Sequence, residues 1–170
     1  MSLNVKVGDQ IPSVGLRASD GYLLNLRSWV TKQPVALLFF GAATLEGAAR
    51  RRGTKAALAL ADGHERLREA GIVVAGVSCD SAEQQAEYLS ETKLPYLLMS
   101  DERRTAVEML GISTVADGEN VNVVHPVVIV VGREGEIRAV LTEIDPSTVV
   151  DGVMSALAEP MPLAETLPGT

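Results

Sequence analysis

Only one cysteine, Cys79, occurs among the 170 residues. A lone thiol makes no internal disulfide, no Cys-x-x-Cys dithiol and no cysteine-cluster metal site. There are two histidines, His64 and His125, which nearly closes off histidine-based metal sites, so neither a metal nor a cofactor is expected. Aromatic residues make up 4% of the chain, and its core must therefore rest on Val, Leu, Ile and Ala. No apolar run approaches the ~20 residues of a membrane-spanning helix, so no membrane partner is expected. Nor is there a basic excess. The 22 acidic against 15 basic residues leave a net charge of -7, whereas a nucleic-acid binder presents a basic face, so nucleic acid is excluded as a partner. The N-terminus also lacks a charged leader with an apolar stretch and a cleavage-like site, and the expected location is the cytoplasm.

What remains is an apolar chain of one-domain size, 46% hydrophobic and 22% charged, long enough to bury a real core. The expected domain covers residues 1–158, followed by a Pro-rich tail, 159–170, read as disordered. An Asp20-Gly21 turn between Val14–Leu16 and Tyr22–Leu26 predicts an N-terminal hairpin, with a short turn at Ser28 and Trp29 after it. Residues 35–40, 72–78, 96–99 and 127–131 are near-continuous apolar runs of strand length, as expected of strands covered on both faces. Gly132-Arg-Glu-Gly135 turns the last of them into a further strand over 136–141.

Helices are predicted over 55–70, from a cap at Asp80 or Ser81 to about Thr92, from Ser100 and Asp101 to Gly111, and after Asp145 with Pro146 in its first turn. Residues 113–124 read as a polar loop with an Asp117-Gly118 turn. The sum is an α/β three-layer sandwich: a mixed five-stranded sheet with helices on both faces and the hairpin in front.

Four stretches, in order, resemble the alkyl hydroperoxide reductase and thiol-specific antioxidant family, the peroxiredoxins and related redoxin domains. They are Val7-Gly-Asp-Gln-Ile-Pro12 with Leu16 and Asp20-Gly21; Pro34-Val-Ala-Leu-Leu-Phe-Phe40; Ala70-Gly-Ile-Val-Val-Ala-Gly-Val-Ser-Cys-Asp-Ser81; and Leu94-Pro-Tyr-Leu-Leu-Met-Ser-Asp101. Together they span almost the whole chain. The resemblance implies a thioredoxin-like fold. It also implies reduction of hydroperoxides by a cysteine in a Pro-x-x-x-Thr-x-x-Cys loop at a helix N-terminus, where the dipole and unpaired N–H groups favour the thiolate.

This chain departs from that pattern. The matching segment is Gly41-Ala-Ala-Thr-Leu-Glu-Gly-Ala-Ala-Arg50, and no cysteine precedes Cys79. Counting forward from Phe40 puts the cysteine position at Ala48, and counting back from Ala70 puts it near Gly53. The mismatch implies an insertion of about five residues that includes the Arg50-Arg51-Arg52 cluster. Gly41 stands for the motif proline and Thr44 for its threonine. His125-Pro126 stands where the family keeps an arginine, and the resemblance to thioredoxin-like proteins implies a cis Pro126 facing the active-site loop.

Each candidate residue keeps two readings. Cys79 is a substitute nucleophile, or a buried structural thiol beside Asp80, a carboxylate that would raise its pKa. Thr44 orients a ligand or merely caps a helix. His125, beside Pro126, faces a ligand or is a hydrogen-bonded strand-entry residue. His64 reads as solvated, and the arginine cluster as an anion site or a solvated charge run. Two functions follow: a redoxin domain that has lost peroxidase chemistry and is kept as a binding or regulatory scaffold, or a one-cysteine thiol peroxidase using Cys79. A thiol redox partner protein and a second copy of the chain are the partners left open.

Overall fold

The computed structural model describes residues 3–41, 47–117 and 120–158. The elements run in the order β1 Gly15–Ala18, β2 Leu23–Asn25, α1 Leu26–Val30, β3 Val35–Phe39, α2 Gly47–Asp62, α3 His64–Glu69, β4 Val73–Ser78 and α4 Ala82–Thr92. They continue with β5 Leu97–Ser100, α5 Thr105–Leu110, β6 Thr114–Asp117, β7 Asn120–Val124, β8 Val127–Val131, β9 Ile137–Leu141 and α6 Val149–Ala158. The sheet has seven strands, not five, in the order β2-β1-β5-β4-β3-β8-β9. The N-terminal hairpin is part of it, because β1 lies antiparallel on β5 with Arg17 opposite Ser100. An exposed β5 edge would leave backbone N–H and C=O groups unpaired, and the hairpin covers them.

β3, β4 and β5 are parallel, while β8 and β9 run antiparallel beside β3. Strand side chains alternate between faces, and this divides the core in two. Val35, Leu37, Phe39, Val77, Met99 and Ile129 meet α1 and α5 on one face. Ala36, Leu38, Phe40, Val74, Leu98 and Val128 meet α2, α3, α4 and α6 on the other. Both faces of β3 and β8 are fully buried, which accounts for their unbroken apolar sequences.

Several boundaries differ from the sequence expectation. The first long helix begins at Gly47 rather than Lys55, and Arg50, Arg51 and Arg52 lie inside it. It ends at Asp62, and α3 restarts after Gly63, where any Cβ would strike Val150 of α6. The turn at Ser28 and Trp29 is the helix α1, whose first amides are capped by the Asn25 side chain. Helix α5 starts at Thr105, yet Asp101 serves it as expected of a cap, accepting from the amides of Ala106 (3.0 Å) and Val107 (2.9 Å). The 113–124 segment is a hairpin, β6–β7, rather than a loop. The Asp117-Gly118 turn and the tail 159–170 lie outside the described residues.

The His125-Pro126 bond is trans, since no cis peptide occurs among the described residues. His125 donates its backbone N–H to Ser113 at 3.0 Å, extending the β6–β7 ladder straight toward β8. An extended chain running between two strands uses the ordinary trans geometry.

Candidate active-site region

Two strand ends carry the residues singled out by sequence, and they lie side by side, because β3 and β4 are adjacent and parallel with Phe39 opposite Val77. The first is the turn from β3 into α2. Gly47 opens the helix at φ +61°, a left-handed conformation that glycine adopts without penalty. Ala48 follows it in the first turn and is exposed. The position reached by the forward count thus lies in the first turn of α2, and the one reached by the backward count does not. Gly53 lies in mid-helix, buried, where a Cβ would stand 1.9 Å from the Gly41 carbonyl oxygen and 3.3 Å from Phe40. The helix seats its middle on the chain leaving β3, and no side chain fits between. Arg50 to Arg52 are helical, within α2. Thr44 lies outside the described residues.

Behind this helix start sits a small polar cluster that sequence reasoning missed. The Thr54 hydroxyl hydrogen-bonds the Tyr88 hydroxyl of α4 at 2.6 Å. The Tyr88 ring lies against Phe40 with centroids 6.0 Å apart. Arg50 stacks over the same ring at 5.3 Å and pairs with Glu91 at 2.6 Å. Burial pushes the Tyr88 phenol above its ordinary pKa, offset by the Thr54 hydrogen bond and the Arg50 charge. The available signal was helical spacing, since Tyr88 and Glu91 are three residues apart on one helix and Arg50 and Thr54 are four apart on another.

His125 and Pro126 line a small cavity of about 190 Å³ with Arg52, Lys55 and Ala56 of α2 and with Glu143 and Ile144. They thus meet the second and third turns of α2, and the loop they were expected to face lies mostly outside the described residues. His64 is half-buried, its ring 6.1 Å from that of Tyr96, rather than fully solvated.

The second strand end holds Cys79, directly after β4. The thiol is half-buried and packs against the α1/α5 face of the core, in register with Val77. Helix α2 covers the opposite face. The chain's only thiol thus packs on the face of the sheet opposite to the one α2 covers. Burial pushes its pKa up to about 11, with Arg104 opposing and Asp101 and Asp80 adding to the rise.

Neighbouring residues of opposite parity point to the α4 side and form a buried network in which Gln85 Oε1 alone lacks a partner among the described residues. Ser78 Oγ donates to Asp80 Oδ2 at 2.6 Å, and Gln85 Nε2 donates to Ser78 Oγ at 2.9 Å and to the Met99 carbonyl at 2.8 Å. Ser100 Oγ donates to the Asp80 carbonyl at 2.5 Å. Asp80, Ser78 and Gln85 are essentially inaccessible. The network ties α4 to β4 and β5, and a Gln in an amphipathic helix gave no sequence signal of it. Burial also raises the Asp101 carboxyl above the usual range, against the pull of its backbone hydrogen bonds to α5 and of Arg104.

Among the described residues, no group of three His, Cys, Asp or Glu side chains could hold a metal ion, and no helix is long and apolar enough to cross a membrane.

This architecture is shared with solved structures. Peroxidoxin BcpB of Mycobacterium tuberculosis superposes with a TM-score of 0.75 at 23% identity, covering 91% of this chain and 97% of that one. A peroxiredoxin 6 of Arenicola marina gives 0.76 at 14% identity, over 89% and 73%. In sequence, peroxiredoxin Bcp of Escherichia coli is 27% identical over 157 residues, 91% of this chain and 97% of that protein. The chloroplastic peroxiredoxin Q of rice is 35% identical over 98 residues, which is 58% of this chain; the match spans only 42% of the rice protein. The family model of AhpC/TSA matches residues 7–140, from the strand-entry segment before β1 to the end of the sheet in β9. With that match running through both strand ends just described, the chain belongs to the AhpC/TSA family.

Proposed function

We propose that this chain is a peroxiredoxin-family protein without thiol peroxidase activity, kept as a binding or regulatory scaffold. One observation carries the reading: Ala48 stands exposed in the first turn of α2, while the only thiol packs on the other face of the sheet. A thiol peroxidase brings together an accessible thiolate, donors that polarise the O–O bond, and a helix N-terminus aimed at the sulfur. Here the helix start has donors and no sulfur. The sulfur holds its proton to about pH 11, so at neutral pH only about one molecule in 10⁴ carries the thiolate. A displacement of ~1 Å costs about 10²-fold in rate, and neighbouring strands alone are ~4.8 Å apart. A thiol redox partner protein in the cytoplasm, or a second copy of the chain, is the class of partner this scaffold would serve.

The test is hydroperoxide consumption with a small thiol and with thioredoxin as reductants, for the wild type beside Cys79→Ser. The expected result is background turnover, equal in both. Rapid turnover that disappears in Cys79→Ser and persists in Thr44→Val would instead establish a one-cysteine peroxidase.

A further inference from the structure

An open groove of about 670 Å³ runs along the outer face of α2, within the ~300–1,000 Å³ usual for small-molecule sites. Its chemistry is graded from end to end. Arg50, Arg51 and Lys55 stand at the head, Leu58 and Pro146 form the middle, and Asp62 closes the far end. Eleven residues of helix separate Arg51 from Asp62, about 16 Å at 1.5 Å per residue.

The head is out of character for a chain of net charge -7. Four of its 15 Lys and Arg residues fall between positions 50 and 55, with no acidic residue among them. Arg51 and Lys55 are exposed and four apart, so like charges meet on one helix face. Arg50 is held in place by Glu91 and the Tyr88 ring. A bound anion between Arg51 and Lys55 would relieve their mutual repulsion. Leu58 adds an apolar contact in the middle, being among the few large apolar side chains left exposed, at 42%.

We propose that this groove binds a free amphipathic anion, a single carboxylate or phosphate head on an unbranched hydrocarbon body. The head sits between Arg51 and Lys55, and the body runs over Leu58 toward Pro146. Asp62 sets the direction by repelling a second anionic group at the far end. The assignment deepens the reading of the chain as a binding scaffold and rests on it. Its test is nevertheless separate, because it measures binding and leaves the peroxide assay untouched.

Dodecanoate and dodecyl phosphate, each below its micellar concentration, are titrated against the full chain by calorimetry, beside dodecan-1-ol and dodecanedioate. One or both monoanions should bind at a single site, and which one does identifies the preferred head. The alcohol and the dianion should bind at least tenfold more weakly. The variant Arg51→Ala/Lys55→Ala should lose tenfold or more in affinity with a melting temperature close to that of the wild type, since both side chains are exposed. Leu58→Ser should weaken binding several-fold, and Arg17→Ala, on β1, should leave it unchanged. Absence of binding, equal binding of the alcohol, or full affinity in both groove variants would overturn the proposal.

Discussion

The end of β3 and the end of β4 are neighbours built for opposite ends. The β3 end is open: it presents an exposed helix start, a cluster of cations and the Thr54–Tyr88 pair. The β4 end is closed: Ser78, Asp80, Gln85 and Ser100 hydrogen-bond in a buried network, and the half-buried Cys79 packs against the core beside two carboxylates. A reactive thiol needs the first environment and the only thiol has the second. Reactivity is thus set by where a residue stands more than by which residue it is, because burial destabilises the thiolate and a helix start stabilises it.

Moving the sulfur between environments is the sharpest way to break this comparison. In a Cys79→Ser background, Ala48→Cys should titrate below the free-thiol value of ~8.5. Its thiolate fraction at pH 7 should then exceed that of Cys79 by more than a hundredfold, as read by thiolate ultraviolet absorbance and alkylation rate. The fold should be unaffected, since Ala48 is exposed. Gly53→Cys, by contrast, meets the Gly41 carbonyl. It should cost about 3 kcal/mol or more in urea denaturation, because backbone cannot rotate away. An Ala48→Cys thiol with a pKa near 11 would show that the two ends do not differ electrostatically.

A smaller effect probes the closed end alone. The native Cys79 thiol keeps its proton to about pH 11, while the unfolded thiol releases it near ~8.5. Between those values the unfolded chain binds fewer protons, so stability present below pH ~8.5 is lost as pH rises toward 11. The loss should reach about 3 kcal/mol, seen as a falling urea midpoint, and Cys79→Ser should remove that component.

The smallest effect belongs to the open end. Tyr88→Phe deletes the hydroxyl that pairs with Thr54 and should cost about 1 kcal/mol. The half-exposed Thr54 can turn to water instead, so a loss above about 3 kcal/mol would mean the pair is as closed as the network around Asp80.

The sequence by itself determined the element order through the middle of the chain, the two-sided burial of β3 and β8, and the inventory on which function turns: one cysteine, and none before position 79. These are local properties, since unbroken apolar runs, caps and composition need no partner to be read. Tertiary structure decided the rest. That the N-terminal hairpin extends the sheet depends on Arg17 meeting Ser100, 83 positions away, and no local pattern encodes such a pairing. That α2 starts at Gly47, through three arginines in a row, depends on the Gly53–Gly41 contact and on Tyr96, whose hydroxyl donates to the Ala57 carbonyl at 2.6 Å. The side of the sheet that holds the sulfur was only half legible. Strand parity groups Cys79 with Val77, but which face receives α2 is fixed by the handedness of the β3–α2–β4 crossover, a property of chain packing in three dimensions.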